Sequence, residues 1–178
     1  MTNKHLKRLR AAASRIHDGC KLKILIFGPG ISGGDLYAKR CEIRMKLKEL
    51  NHDADFPEEI INKEDMNLRG LNVKVAEEIL IEEYDYIINL MVSPGAIGEA
   101  HDFAGNRKFA VKMMICVDQN HRNGYSAQGI LQIFEGLNGK LDWFDGERDI
   151  IECHLSTRII DQVKRVAACK QMELLGGK

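Results

Sequence analysis

The sequence predicts a doubly wound α/β protein, a parallel sheet of about five strands between two helix layers. Three observations carry this. Lys23-Ile24-Leu25-Ile26-Phe27 and Tyr86-Ile87-Ile88-Asn89-Leu90-Met91-Val92 are short, nearly continuous apolar runs, the pattern of strands buried on both faces. Each run ends in a loop of small residues, 28–34 and 93–98. Beyond each loop the apolar spacing changes to that of a helix. Strands alternating with helices imply crossover connections and hence a parallel sheet, and 178 residues suit one such domain.

The elements follow in order. Leu6, Leu9, Ala13 and Ile16 recur at helical spacing, so residues 1–20 form an N-terminal unit with an amphipathic helix over 3–18. Its outer face carries Lys4, Lys7, Arg8, Arg10 and Arg15, which suits a solvated face or an oligomer contact better than a nucleic-acid arm. Residues 21–175 read as the single α/β domain. After the first strand, Asp35 opens a helix with Leu36, Ile43, Leu47 and Leu50 on one stripe. His52–Phe56 is a short second strand stopped by Pro57, and 60–71 is a polar loop or lid. A helix over 72–84 feeds the 86–92 strand. A short helix from Ile97, a strand over 111–117, a helix over 126–137 and a strand over 141–144 come next. A closing helix from Ser156 presents Ile159, Val163 and Val166 on one face. The strand order expected is the flavodoxin-like one, within the broader Rossmann-like class of three-layer α/β/α sheets.

Composition excludes several classes of function. Lys and Arg total 26 against 26 Asp and Glu, so no global field attracts nucleic acid or an anionic membrane. The longest apolar run falls far short of the roughly 20 residues of a membrane span, and no apolar leader core follows the basic start. The expectation is a soluble, cytoplasmic protein. Five cysteines, odd in number and without a CxxC pair, fit reduced thiols better than disulfides or zinc. The histidines show no metal-ligand spacing, so neither a metal nor a cofactor is expected.

The residues that could carry chemistry cluster after the first and third strands. Gly28-Pro29-Gly30-Ile31-Ser32-Gly33-Gly34 occupies the first strand-to-helix turn. Its glycines let backbone N–H groups approach an anion ahead of a helix N-terminus; tight packing alone is the competing explanation. It is neither a Walker A loop nor a strict GxGxxG. Glu99 follows Ser93-Pro94-Gly95-Ala96-Ile97-Gly98 and is expected in the first helical turn at the carboxyl edge of the sheet, where open α/β sheets bind ligands. An acid there also compensates the helix dipole. Glu77 interrupts the apolar stripe Val73, Leu80 and Tyr84, so it needs a partner or a cavity unless it escapes at the helix edge. Arg40, between Leu36 and Ile43, suits either a phosphate or a structural ion pair. His101 and Asp102 stand just past Glu99, ready to position a substrate or simply to face solvent.

Together these residues resemble the nucleoside 2-deoxyribosyltransferase-like superfamily, and through it the TIR-type NAD-cleaving domains, over roughly residues 23–117. The family pattern of a small-residue loop before a glutamate is met by Gly95-Ala96-Ile97-Gly98-Glu99-Ala100-His101. The resemblance implies that Glu99 is the nucleophile and that Asp85 is the strand-opening aspartate of the catalytic set. It also implies that Glu77, eight positions earlier, assists protonation of the leaving base, with glutamate standing where aspartate is usual. Ser93 and Glu99 are similarly spaced to the serine and glutamate of TIR domains. Pro94-Gly95 matches the start of the LOG-type PGGxGTxxE motif, whose second glycine and threonine are absent here.

What the resemblance implies is cleavage of an N-glycosidic bond on a nucleoside, nucleotide or NAD, by hydrolysis or base exchange. A carboxylate beneath the anomeric carbon meets the developing positive charge while a second acid protonates the base, the logic of glycoside hydrolysis. The implied substrate-binding set is Gly28, Pro29, Gly30, Ser32, Gly33, Gly34, Arg40, Ser93, Gly95, Gly98 and His101, and the implied assembly is a homodimer. A non-catalytic nucleotide sensor on the same fold is the alternative, and an interaction module built on the basic first helix is a third.

Overall fold

A computed structural model of the chain describes residues 20–61, 72–146 and 148–176. The expected helix over 3–18 and most of the 60–71 segment lie outside the described residues. β1 (Lys23–Phe27) leads through a 3₁₀ turn (Ile31–Gly33) into α1 (Asp35–Glu49), and β2 (Asp53–Asp55) into α2 (Pro57–Ile60). α3 (Val73–Glu83) precedes β3 (Tyr86–Leu90), which is followed by α4 (Pro94–Phe103) and α5 (Arg107–Ala110). β4 (Met113–Asp118), a 3₁₀ turn (Gln119–His121), α6 (Tyr125–Gln128) and α7 (Ile130–Gly136) come next. β5 (Lys140–Phe144), α8 (Arg148–Ile151) and α9 (His154–Gly176) close the described chain.

The five strands are all parallel in the order β2-β1-β3-β4-β5, as the sequence predicts. Both faces of the sheet are covered because alternate side chains of each strand point opposite ways. Ile24 and Ile26 pack with Ile43 and Leu47 of α1 and Ile159 and Val163 of α9. Leu25 and Phe27 pack with Leu80 and Ile81 of α3, Phe103 of α4 and Phe134 of α7. From β1 the chain winds outward to β2 on one side, then to β3 on the other. The carboxyl edge between β1 and β3 is therefore the topological switch point, where the following loops diverge and leave a crevice.

Local differences from the sequence reading have local causes. α4 starts at Pro94 rather than Ile97, because Ser93 is an N-cap whose hydroxyl accepts from the Ala96 N–H and Pro94 is preset for the first helical position. Glu99 is thus in the second turn, not the first, and dipole compensation loses most of its force. The expected 126–137 helix is two helices, separated at Gly129. β4 begins at Met113 because Val111 still caps α5, and α9 begins at His154, two residues early. Among the described residues no helix is long and apolar enough to cross a membrane.

Candidate functional site

The loop after β1 is shaped largely by packing. A Cβ at Gly28 would press on Arg40 and Leu90, and one at Gly33 would lie 2.6 Å from the Pro29 side chain. Gly34 alone takes a positive φ, 55°, to turn the chain into α1. Of the four glycines, only Gly30 has open space and ordinary backbone. Pro29 is buried beneath the turn, whereas Gly30 and Ser32 face solvent. The packing explanation accounts for three of the glycines.

Arg40 is not available to a phosphate in this conformation. It is 1% exposed. Its guanidinium donates to Ile26 O and Pro29 O and forms a bidentate pair with Glu58 at 2.6 and 2.9 Å. It also lies 3.9 Å from the centre of the Phe56 ring. The structural ion pair is the reading that holds. Glu58, in the first turn after β2, is the partner that sequence reasoning missed. Its only local signal is an acid just past the Pro57 that stops the strand.

Glu99 and Glu77 come together across the α3–α4 packing. Glu77 is 9% exposed, so it does not escape to solvent. Burial, then the charges of Asp102 and Glu58, push its carboxyl up to about 7. Burial raises Glu99 to about 8; the charge of Glu77 adds to this, Arg40 opposes it and Glu58 adds a little. Both carboxyls therefore resist ionisation near neutral pH. Such perturbed groups gather at functional sites more often than elsewhere.

Asn89 is the second residue the sequence reading passed over, though a lone amide in an apolar strand is a signal. Fully buried at the end of β3, it donates to Ala96 O at 3.1 Å and so fixes the first turn of the helix that bears Glu99. Asn89 Oδ1 and Glu99 Oε2 are buried acceptors with no partner among the described residues. Orphaned acceptors are rare in folded proteins because each carries its full desolvation cost.

The remaining expected residues divide. Ser93 belongs to the site wall as the α4 cap, and Gly95 and Gly98 lie on the exposed side of α4 with open space about them. His101 turns the other way: its Nε2 is 2.9 Å from Ser126 Oγ and its ring stacks on Tyr125. Asp102 pairs with Lys74 at 2.7 Å. Asp85 is not brought to Glu99 at all. It stands at the amino edge of the sheet, accepting from the Lys23 N–H and from Lys170, a strand's length from the chemistry the resemblance implies for it.

On the α1–α9 side of the same carboxyl edge lies a cleft of about 900 Å³, lined by Gly33, Leu36, Val92, Phe144 and Ile150 and by the 118–121 turn. Gly33 of the β1 loop and Val92 after β3 line it; Glu77 and Glu99 do not. Among the described residues no three His, Cys, Asp or Glu side chains are grouped to hold a metal.

Fold and site define the chain as a doubly wound α/β/α protein with two buried carboxyls, both held above the usual carboxylate range, on the helices that flank β3. No protein-family model matches it, and no curated protein matches it.

Proposed function

We propose that this chain cleaves the N-glycosidic bond of a nucleoside, nucleotide or NAD. The observation that carries the reading is the Glu99–Glu77 pair at the switch point, next to two unpartnered buried oxygens that suit the hydroxyl donors of a sugar. In the proposed reaction ionised Glu99 attacks C1′, or shields the positive charge developing there. The C1′–N bond breaks with its electron pair going to the base, and Glu77 gives the base a proton. Water then adds to C1′ and returns a proton to Glu77, freeing Glu99. In base exchange a second base takes the place of that water. The residues need no cofactor for these steps. The Gly30–Ser32 surface and Ser93 are the substrate contacts, and the neighbouring cleft gives room for the rest of the molecule. Asp85 has no part in this scheme. The reading extends to a cytoplasmic homodimer.

One observation favours a sensor instead. A Glu99 carboxyl near 8 is mostly protonated at neutral pH, and a protonated acid binds hydroxyls without attacking carbon. Chromatography for free base, after incubation with nucleosides, deoxynucleoside monophosphates and NAD, tests both readings. Release by the parent protein and a loss of at least about 10²-fold in Glu99→Gln, with binding retained, is expected of the enzyme. Undiminished release in Glu99→Gln overturns the mechanism. Binding without any release leaves the sensor.

A further inference from the structure

A second cluster of reactive groups lies on the opposite flank of α1. Lys39 is 7% exposed, an unusual burial for lysine. Its ammonium has two neighbours: the Glu42 carboxylate and, at 3.5 Å, the sulfur of Cys153. Cys153 is one of the two residues between α8 and α9, next to the start of α9. It has a φ of 59°, a conformation that residues with a Cβ seldom adopt. Its carbonyl is held by Thr157, which donates from both its backbone N–H and its hydroxyl. The backbone of Cys153 is therefore held, and its sulfur lies between Lys39 Nζ at 3.5 Å and Ile151 O at 3.9 Å. Glu42 also accepts from Lys46 and Ser156. Burial would raise it, but the hydrogen bonds from Lys39, Lys46 and Ser156 outweigh burial and hold it at about 2. Ionised Glu42 thus holds the Lys39 ammonium in place beside the sulfur.

We propose that Cys153 and Lys39 form an oxidation-driven covalent clamp, a sulfenamide, with a hydroperoxide as the oxidant. The Cys153 sulfur attacks one peroxide oxygen. The O–O bond breaks, sulfur loses two electrons to it, the thiol proton goes to the departing oxygen, and the products are a sulfenic acid and an alcohol, or water when the oxidant is hydrogen peroxide. Lys39 loses one proton to solvent, and its freed nitrogen attacks the sulfur. An S–N bond forms as the S–O bond breaks, and the departing hydroxide takes the second nitrogen proton to leave as water. Sulfenic acids are known to be captured by nearby nitrogen in this way, and an excess of thiol reverses the bond. Cys153 is partly exposed, which gives an oxidant access to its sulfur. Cys20 and Cys116, by contrast, are buried. The bond would tie α1, which contributes Leu36 to the 900 Å³ cleft, to the residues just past α8, the helix that contributes Ile150. It would fix two walls of that cleft.

Peptide mapping of the full chain after treatment with hydrogen peroxide tests this directly. Expected is a Lys39–Cys153 cross-linked peptide, lighter by two hydrogens than its separate parts and released by dithiothreitol. In Lys39→Arg the cross-link disappears and Cys153 is captured as its sulfenic acid by dimedone. The proposal is overturned if parental Cys153 stays a thiol, forms a disulfide with Cys41, or goes on to the sulfinic acid as fast as it does in Lys39→Arg. The cross-link, the surviving thiol and the Cys41 disulfide are all read from the parent protein, so a poorly folded variant leaves the test intact.

Discussion

Replacing Glu77 by Gln should lower the pH at which Glu99 ionises, and the size of that change is readable from the site. Glu99 reaches about 8 through burial first and the negative charge of Glu77 second, with Arg40 pulling against both. Glutamine keeps the shape of Glu77 and most of the burial while removing the charge. A close like charge is worth on the order of one pH unit, about 1.4 kcal/mol. The assay is the pH dependence of kcat/KM on an N7-alkylated purine nucleoside, whose base leaves neutral and needs no proton. With that substrate the parent protein should show one limb, rising with pH through about 8. In Glu77→Gln the limb should sit roughly one unit lower. With an ordinary nucleoside, ionised Glu99 and protonated Glu77 are needed together, so the parent profile should be a bell. Values of about 8 and about 7 put its maximum near ~7.5, where roughly one molecule in twenty holds the competent form. Glu77→Gln should lose the falling limb and most of the rate on that substrate. A limb that stays at its parental position, or moves up, refutes the coupling of the two carboxyls.

The same shifts predict stability. A glutamate that titrates at 4.5 when unfolded holds its proton up to about 8 at Glu99 in the folded chain. The folded state therefore binds the extra proton between those values, and stability falls as pH rises through that window. Glu99→Gln should match the parent near pH 4 and exceed it at pH 8 by on the order of 2 kcal/mol, after discounting for partial exposure. Urea denaturation at the two pH values checks this, and a pH-independent difference would sink it. Arg40→Met should cost about 2–3 kcal/mol by the same measurement, because it removes the donors to the Ile26 and Pro29 carbonyls while half-exposed Glu58 can turn to water. A loss under about 1 kcal/mol would mean that the pair is dispensable. Ser93→Ala should cost about 1 kcal/mol through the lost cap on α4. Light scattering should give a homodimer; a species of 20.1 kDa, the chain mass, at working concentration is the contrary result.

The sequence by itself determined the layers. Continuous apolar runs such as 23–27 and 86–90 have no polar face to show to water, so they must be covered on both sides. The helical stripes between them supply the cover. It also marked Glu99 and Glu77, because an acid on an apolar stripe or beside a strand-end loop stands out against local periodicity. Only the tertiary structure decided what those acids meet. Arg40 is read from sequence equally well as a phosphate ligand or a salt-bridge partner. Its fate depends on Glu58, 18 positions away and delivered by the β1–β2 pairing. Asp85 keeps its spacing from Glu77 along the chain, yet a strand has two ends, and Asp85 stands at the amino end while Glu99 is reached from the other. The values of about 7 and about 8 belong to neither residue alone. Periodicity is a property of neighbours in the chain, whereas burial and charge coupling are properties of neighbours in space.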